Sequence, residues 1–257
     1  MVDVLTVRQL MAWQAANAGP KIVSWADGTD EEVAAMVAAA DAGKLNLSDY
    51  WHEGDERTVH LSAMSATGVG ESHAAQDVVM VLSDQGRYTL ADGKKCNFVV
   101  LQKDSLKEAG YMNSSATNSG GWNGCKRRTW CNNVYRNAIP ASLRGIFKQF
   151  KVRTANGSGS GVTESTDWFS LFSEKEVFGS TYYANSSAES QNTQLDWYKT
   201  SSNRIKKNGM DGSAYYWWER SPCSGYSNYF CRAGSDGFAG QPGDADYSYG
   251  LAPFGCI

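Results

Sequence analysis

Apolar positions along the chain switch between helical and extended spacing, and the switches predict short elements joined by Gly and Asp turns. Residues 4–18 (VLTVRQLMAWQAANA) put Val7, Leu10, Met11 and Gln14 at helical offsets and stop at Gly19-Pro20. This short N-terminal helix, taken with its flanks as residues 1–20, packs on its own domain or serves docking or oligomerisation. Lys21 to Trp25 reads as a strand, Asp27-Gly28 as a turn, and Thr29 or Asp30 as the cap of a helix running to about Ala42. Glu31 and Glu32 lie in its first turn, where the helix dipole favours acids. Strands are predicted over 58–64, 77–83 and 97–102, and helices over about 124–137 and from Pro140 to about Phe150. Residues 151–154 are extended, the run from Asn156 to Gly161 is a hairpin tip, and helices follow at 173–178 and near 190–206. An aromatic strand at 214–220 comes next. The fold class expected is α+β.

Composition narrows the function. The chain has 257 residues, 42% hydrophobic and 20% charged, which is globular. A net charge of −3 argues against a partner whose affinity comes from phosphate neutralisation, so no nucleic acid is expected. No apolar run is long enough to span a bilayer, so no membrane insertion is expected. The start, MVDVLTVRQLMAWQ, lacks a basic region followed by an apolar one, so no signal peptide is visible. Six cysteines occur without any C-x-x-C, and free buried thiols are favoured over disulfides.

The final 37 residues differ in kind. Lys, Glu, Gln, Met and Trp supply 48 of the first 220 residues, a rate that would put about eight among the last 37, yet only Gln241 is there. Four tyrosines (226, 229, 247, 249) and three phenylalanines (230, 238, 254) stand instead among Gly, Ser, Asp and Asn. Tyr with Ser, Gly and Asn is the composition of a paratope, in which rigid rings give contact area at low entropic cost.

These residues bring the chain close to a known group. It resembles a bacterial and phage family of unknown function whose copies carry a W-W-x-R-S-P element, here Trp217 to Pro222, and a G-hydrophobic-A-P-F-G-C-I-like end, here Gly250 to Ile257. The stretches SWADGTDEEVAAM from Ser24, LSDYWHEGDERTVHLSAMSATGVGESH from Leu47, GGWNGCKRRTWCNN from Gly120 and DWFSLFSEKEVFG from Asp167 extend the resemblance over about 20–257. It departs at Ala252, where copies often carry Arg. That family looks like C-type-lectin-fold proteins, the class that includes formylglycine-generating enzymes and the variable proteins of diversity-generating retroelements. The resemblance implies a C-type-lectin-like domain over 21–257, with a variable segment at about 221–250. Such retroelements rewrite adenines, and an AAC codon changed at its adenines never yields Lys, Glu, Gln, Met or Trp. Those are the types nearly missing here.

Trp217, Trp218 and Phe230 are expected in the core, and Arg220 is expected to anchor a carboxylate or backbone carbonyls inside the fold. Gly237, Gly250 and Gly255 read as turn or close-packing positions. The ligand-binding face is assigned to Tyr226, Asn228, Tyr229, Arg232, Phe238, Gly240, Asp244, Asp246 and Tyr247.

Catalytic readings are weaker. His52, His60 and His73 lie near Glu53, Asp55 and Glu56, but their spacing matches no H-E-x-x-H pattern, and packed or surface histidines are expected. Because the resemblance implies a fold shared with formylglycine-generating enzymes, Cys223 and Cys231, if on adjacent strands, would be the analogue of their copper-binding thiol pair. No cofactor is required; the Asp- and Asn-rich loops leave a structural calcium open, although no D-x-[DN]-x-[DN]-G loop occurs. The function expected is non-enzymatic receptor binding, by a phage tail protein or bacterial surface-display protein that docks a cell-surface protein or glycan, displayed on the virion or cell surface, with a trimer as one form of multivalency. The alternative is a thiol oxidase or hydrolase on a lectin-like scaffold.

Overall fold

A computed structural model describes Gln9 and residues 19–257; the rest of the helix expected over 4–18 lies outside the described residues. The first fully described helix, Asp30–Asp41, begins with a reciprocal capping box between Thr29 and Glu32 and buries Val33, Met36 and Val37. The strand expected at 21–25 is absent. The Trp51 indole donates to the Val23 carbonyl at 2.9 Å, and the Arg57 guanidinium takes the carbonyls of Trp25 and Gly28. Side chains thus satisfy backbone groups that a sheet ladder would otherwise claim.

The strands are β1 (Glu56–Leu61), β2 (Gln76–Ser83), β3 (Val99–Gln102), β4 (Phe150–Ala155), β5 (Val162–Asp167), β6 (Lys206–Lys207), β7 (Ala214–Tyr215), β8 (Trp217–Pro222), β9 (Tyr229–Ala233), β10 (Ala239–Asp244) and β11 (Phe254–Cys256). They form an antiparallel sheet in the order β1-β2-β3-β11, a second in the order β10-β9-β8, and the hairpins β4-β5 and β6-β7. This is a mixed α+β architecture. β1 alternates exposed and buried residues, as an edge strand with one wet face should. β11 lies at the other end of the four-stranded sheet and is buried throughout. At Gly255 an added Cβ would come within 2.7 Å of Phe147 and 2.8 Å of Phe169, so only glycine lets those rings close over the strand. Phe254 stacks on Phe172 with centroids 4.0 Å apart.

Two helices are shorter than the sequence pattern predicts. The one expected from Pro140 to Phe150 covers only Ala141–Arg144, and Phe150 already belongs to β4. The one expected near 190–206 is a turn, Asp196–Lys199, followed by a 3-10 turn at Ser201–Arg204. There the Gln194 amide donates to the carbonyls of Val177 and Tyr198, and Asn203 donates to Trp197, side-chain bonds that compete with a helical ladder. The helix expected over 124–137 forms as Lys126–Trp130, a π turn at Cys131–Tyr135 and Arg136–Ala138. The 156–161 run joins β4 to β5, as expected of a hairpin tip. All six cysteines are free and buried. No helix among the described residues is long and apolar enough to cross a membrane.

Candidate functional site

The three-stranded sheet runs from a wholly buried edge to a half-exposed one. Every residue of β8 is buried, whereas β10 has one buried residue in six. At the buried edge, Trp217 and Trp218 are fully enclosed and donate their indole N–H groups to the carbonyls of Arg204 and Gly110. Arg220 forms a bidentate pair with Glu176 at 2.6 and 2.8 Å and also donates to the Leu171 carbonyl. Burial alone would raise the Glu176 carboxyl, but the guanidinium overrides it and holds the group below its ordinary value.

Three further acids crowd this edge. Glu174 accepts from the backbone N–H groups of Tyr182, Tyr183 and Ala184. Glu189 accepts from the Lys175 backbone and the Ser221 hydroxyl. Glu219 is fully buried, and neither of its oxygens has a hydrogen-bond partner. Burial, then the charges of Glu174 and Glu189, pushes its carboxyl far above the usual range. Burial does the same to the Cys231 thiol.

The exposed rings lie on the short loops of this sheet, Tyr226 and Tyr247 after β8 and β10 at the Tyr229 end of β9, and Phe238 after β9 at its other end. Tyr226, Phe238 and Tyr247 are 59%, 69% and 56% exposed. Tyr226 stacks on half-buried Tyr229 with centroids 5.6 Å apart. Asp244 faces Tyr229 across the ladder and accepts from the Asn228 amide at 2.5 Å. Gly240 faces Arg232, whose guanidinium is sandwiched between the rings of Tyr216 and Tyr249 at 4.2 and 4.1 Å and donates to the Gln241 carbonyl. Asp246 is half-buried beside Tyr247. The nine residues assigned to the face thus lie on β9, β10 and the loops at their ends, each exposed or half-buried.

The sequence reading missed three contributors. Asn118, 1% exposed and far from the segment in sequence, donates its amide to the carbonyls of Tyr226 and Tyr229 at 2.7 Å and fixes that loop. Tyr216 supplies half of the Arg232 sandwich. Tyr182, 65% exposed, lies on the loop that Ala184 bridges to Cys223. Only the aromatic run 215–218 carried a local signal for any of them.

The other candidate chemistries are dispersed. His52 is exposed, His60 pairs with Asp77 at 2.7 Å on the surface, and His73 is buried against Trp130. Burial, with Arg127 nearby, lowers His73 to about 4, although Glu108 stands 3.1 Å away. Among the described residues, the one convergent group of three metal-ligand side chains is Glu174, Glu219 and Cys231, and it includes no histidine and none of the C-terminal aspartates. Burial raises the Cys223 thiol to about 11, so neither it nor Cys231 has the lowered value of a reactive thiol. A cleft of about 460 Å³ beside Arg87, Lys95, Lys151 and Arg153 is lined by no His, Cys or Ser.

The stretch that builds β3 to β11, and with it both edges of the small sheet, matches a single family model, from Cys96 to Ile257. The chain belongs to the family described as a domain of unknown function, DUF6273. The DUF6273 match takes in the Trp217–Pro222 element and the Gly250–Ile257 end. No curated protein and no solved structure matches the chain.

Proposed function

We propose that the chain is a binding module of C-type-lectin-like fold whose exposed sheet edge docks a cell-surface protein or glycan. The observation that carries this reading is the set of more than half-exposed rings on the short loops around one buried, hydrogen-bonded sheet, Tyr226 and Tyr247 at one end of β9 and Phe238 at the other. Rings of this kind bury apolar area at little entropic cost, while Asn228, Arg232, Asp244 and Asp246 discriminate between partners by charge and hydrogen bonding. The near absence of Lys, Glu, Gln, Met and Trp after Pro222 supports a retroelement as the source of diversity in this segment. Display on a phage tail or bacterial surface, trimeric or otherwise multivalent, would convert weak single-site affinity into useful avidity.

Sequencing the 3′ end of the gene in sibling isolates tests diversification. Substitutions at adenine sites in codons 221–250, with Trp217, Trp218, Arg220 and Gly250 unchanged, are expected. Variation no greater there than over 58–102 would end the retroelement reading. Binding itself is tested by probing host surface extracts with the full chain and with a Tyr226→Ala/Phe238→Ala/Tyr247→Ala variant. Equal retention of the two would show that this edge is not the docking face.

A further inference from the structure

The most densely charged part of the interior serves no role in ligand docking as proposed above. The ligand atoms of Glu174, Glu219 and Cys231 all lie within 4.8 Å of one another, and the three residues are essentially unexposed. They come from three separate elements: the helix Glu174–Phe178, β8 and β9. The nearby cation, Arg220, is committed to Glu176 on both forks. Glu189 is engaged by Ser221 and the Lys175 backbone. Both Glu219 oxygens are left buried with no donor, a condition that native interiors rarely tolerate.

We propose that Glu174, Glu219 and Cys231 bind one Zn²⁺ ion, which ties the helix Glu174–Phe178 to β8 and β9. A set of two carboxylates and a thiolate suits a borderline cation such as Zn²⁺, whereas Ca²⁺ and Mg²⁺ take oxygen ligands. With bonds of about 2.0–2.3 Å, tetrahedral ligands stand about 3.3–3.8 Å apart, so the three groups need to draw in by about 1 Å at most. The outer contacts for such a site are present. Glu174 Oε2 is held by three backbone N–H groups, which leaves Oε1 with one shared bond and free to ligate. Ser221, two residues beyond Glu219, accepts from the Glu174 backbone N–H and so fixes β8 against the helix. The second Glu219 oxygen, which has no other partner, is free to fill a fourth position. Because the ligands are enclosed, the ion enters as the chain folds, and its binding free energy becomes folding free energy. This inference does not depend on the docking function: the binding face can fail its test with the metal present, and the reverse.

The test is to refold the full chain, reduced, with and without Zn²⁺, and to measure bound metal after gel filtration together with the melting temperature. About one Zn²⁺ per chain is expected, with a rise in Tm of roughly 5 °C or more at a hundredfold excess over Kd. Co²⁺ in its place should give a thiolate charge-transfer band. Cys231→Ser should abolish that band, and Glu219→Gln should lose the ion, while Cys223→Ser retains both. A folded wild-type chain that takes up no Zn²⁺ would overturn the proposal, as would uptake unchanged by both Cys231→Ser and Glu219→Gln.

Discussion

The two edges of the β8–β9–β10 sheet share one hydrogen-bonded framework, yet they use polar residues in opposite ways. At the β8 edge, Arg220, Glu176, Glu189, Ser221 and Glu219 are enclosed, and all but Glu219 have fixed partners. At the β10 edge, Asn228, Arg232 and Asp244 bond mainly to one another's loops or to rings, beside side chains that point into solvent. Low dielectric makes each buried charge conditional on its partner, so the first edge cannot vary one residue at a time. Exposed Tyr and Phe have no such obligation, so the second edge can change residue by residue without loss of the fold. A diversified binding surface needs that division.

The contrast can be broken most severely at Arg220. Arg220→Met strands Glu176 in the interior and should cost about 3–5 kcal/mol in urea unfolding, or prevent folding. A loss under about 1 kcal/mol would mean that the pair does not anchor the edge. The next effect depends on pH. Lys206 lies beneath Trp217, with its ammonium 5.1 Å from the ring and bonded to the carbonyls of Gln102 and Lys103, and burial lowers it to about 7. Its folded value lies below the unfolded one, so the folded state binds fewer protons between about pH 7 and the ordinary lysine range, and this group's contribution to stability rises with pH there. Wild type should therefore gain on Lys206→Met by up to about 1.4 kcal/mol per pH unit between pH 7.5 and 9.5. A constant difference would show that Lys206 keeps its proton in the folded state across this range. Taking the difference cancels the opposing titration of the buried thiols.

Asn118→Ala sharpens the comparison from the framework side. It removes the donor that two loop carbonyls share and should cost about 1–3 kcal/mol, with faster amide exchange at Tyr226 to Tyr229. Unchanged exchange would locate the loop's order elsewhere. The smallest effect is at the rings themselves. Tyr226→Ala, Phe238→Ala and Tyr247→Ala should each leave thermal stability within about 0.5 kcal/mol, because each side chain is more than half exposed. A larger loss would place that residue in the framework rather than on the face.

Local chemistry was readable wherever neighbours in sequence decide the outcome. The Thr29/Glu32 box, the three strands between 56 and 102, and the 156–161 tip follow from residues a few positions apart. The skewed composition after Pro222 marked the segment that carries Tyr226, Phe238 and Tyr247, and the double Trp marked the core beneath it. The same reasoning failed at 21–25, where Trp51 and Arg57 come from elsewhere in the chain to take the Val23 and Trp25 carbonyls, and at 190–206, where Gln194 and Asn203 take those of Tyr198 and Trp197. Periodicity cannot see a competing hydrogen bond that arrives from a distance.

Most of the apolar positions that line the core could be read from the chain alone, because burial of apolar area acts on each residue through its own side chain. Which charged groups meet is fixed by the folded chain. Glu174, Glu189, Glu219 and Cys231 are separated by up to 57 positions, and no local rule distinguishes them from surface acids. Their convergence at one buried edge is set by chain topology, and electrostatic energies in a low-dielectric interior depend on distances that only the completed fold fixes.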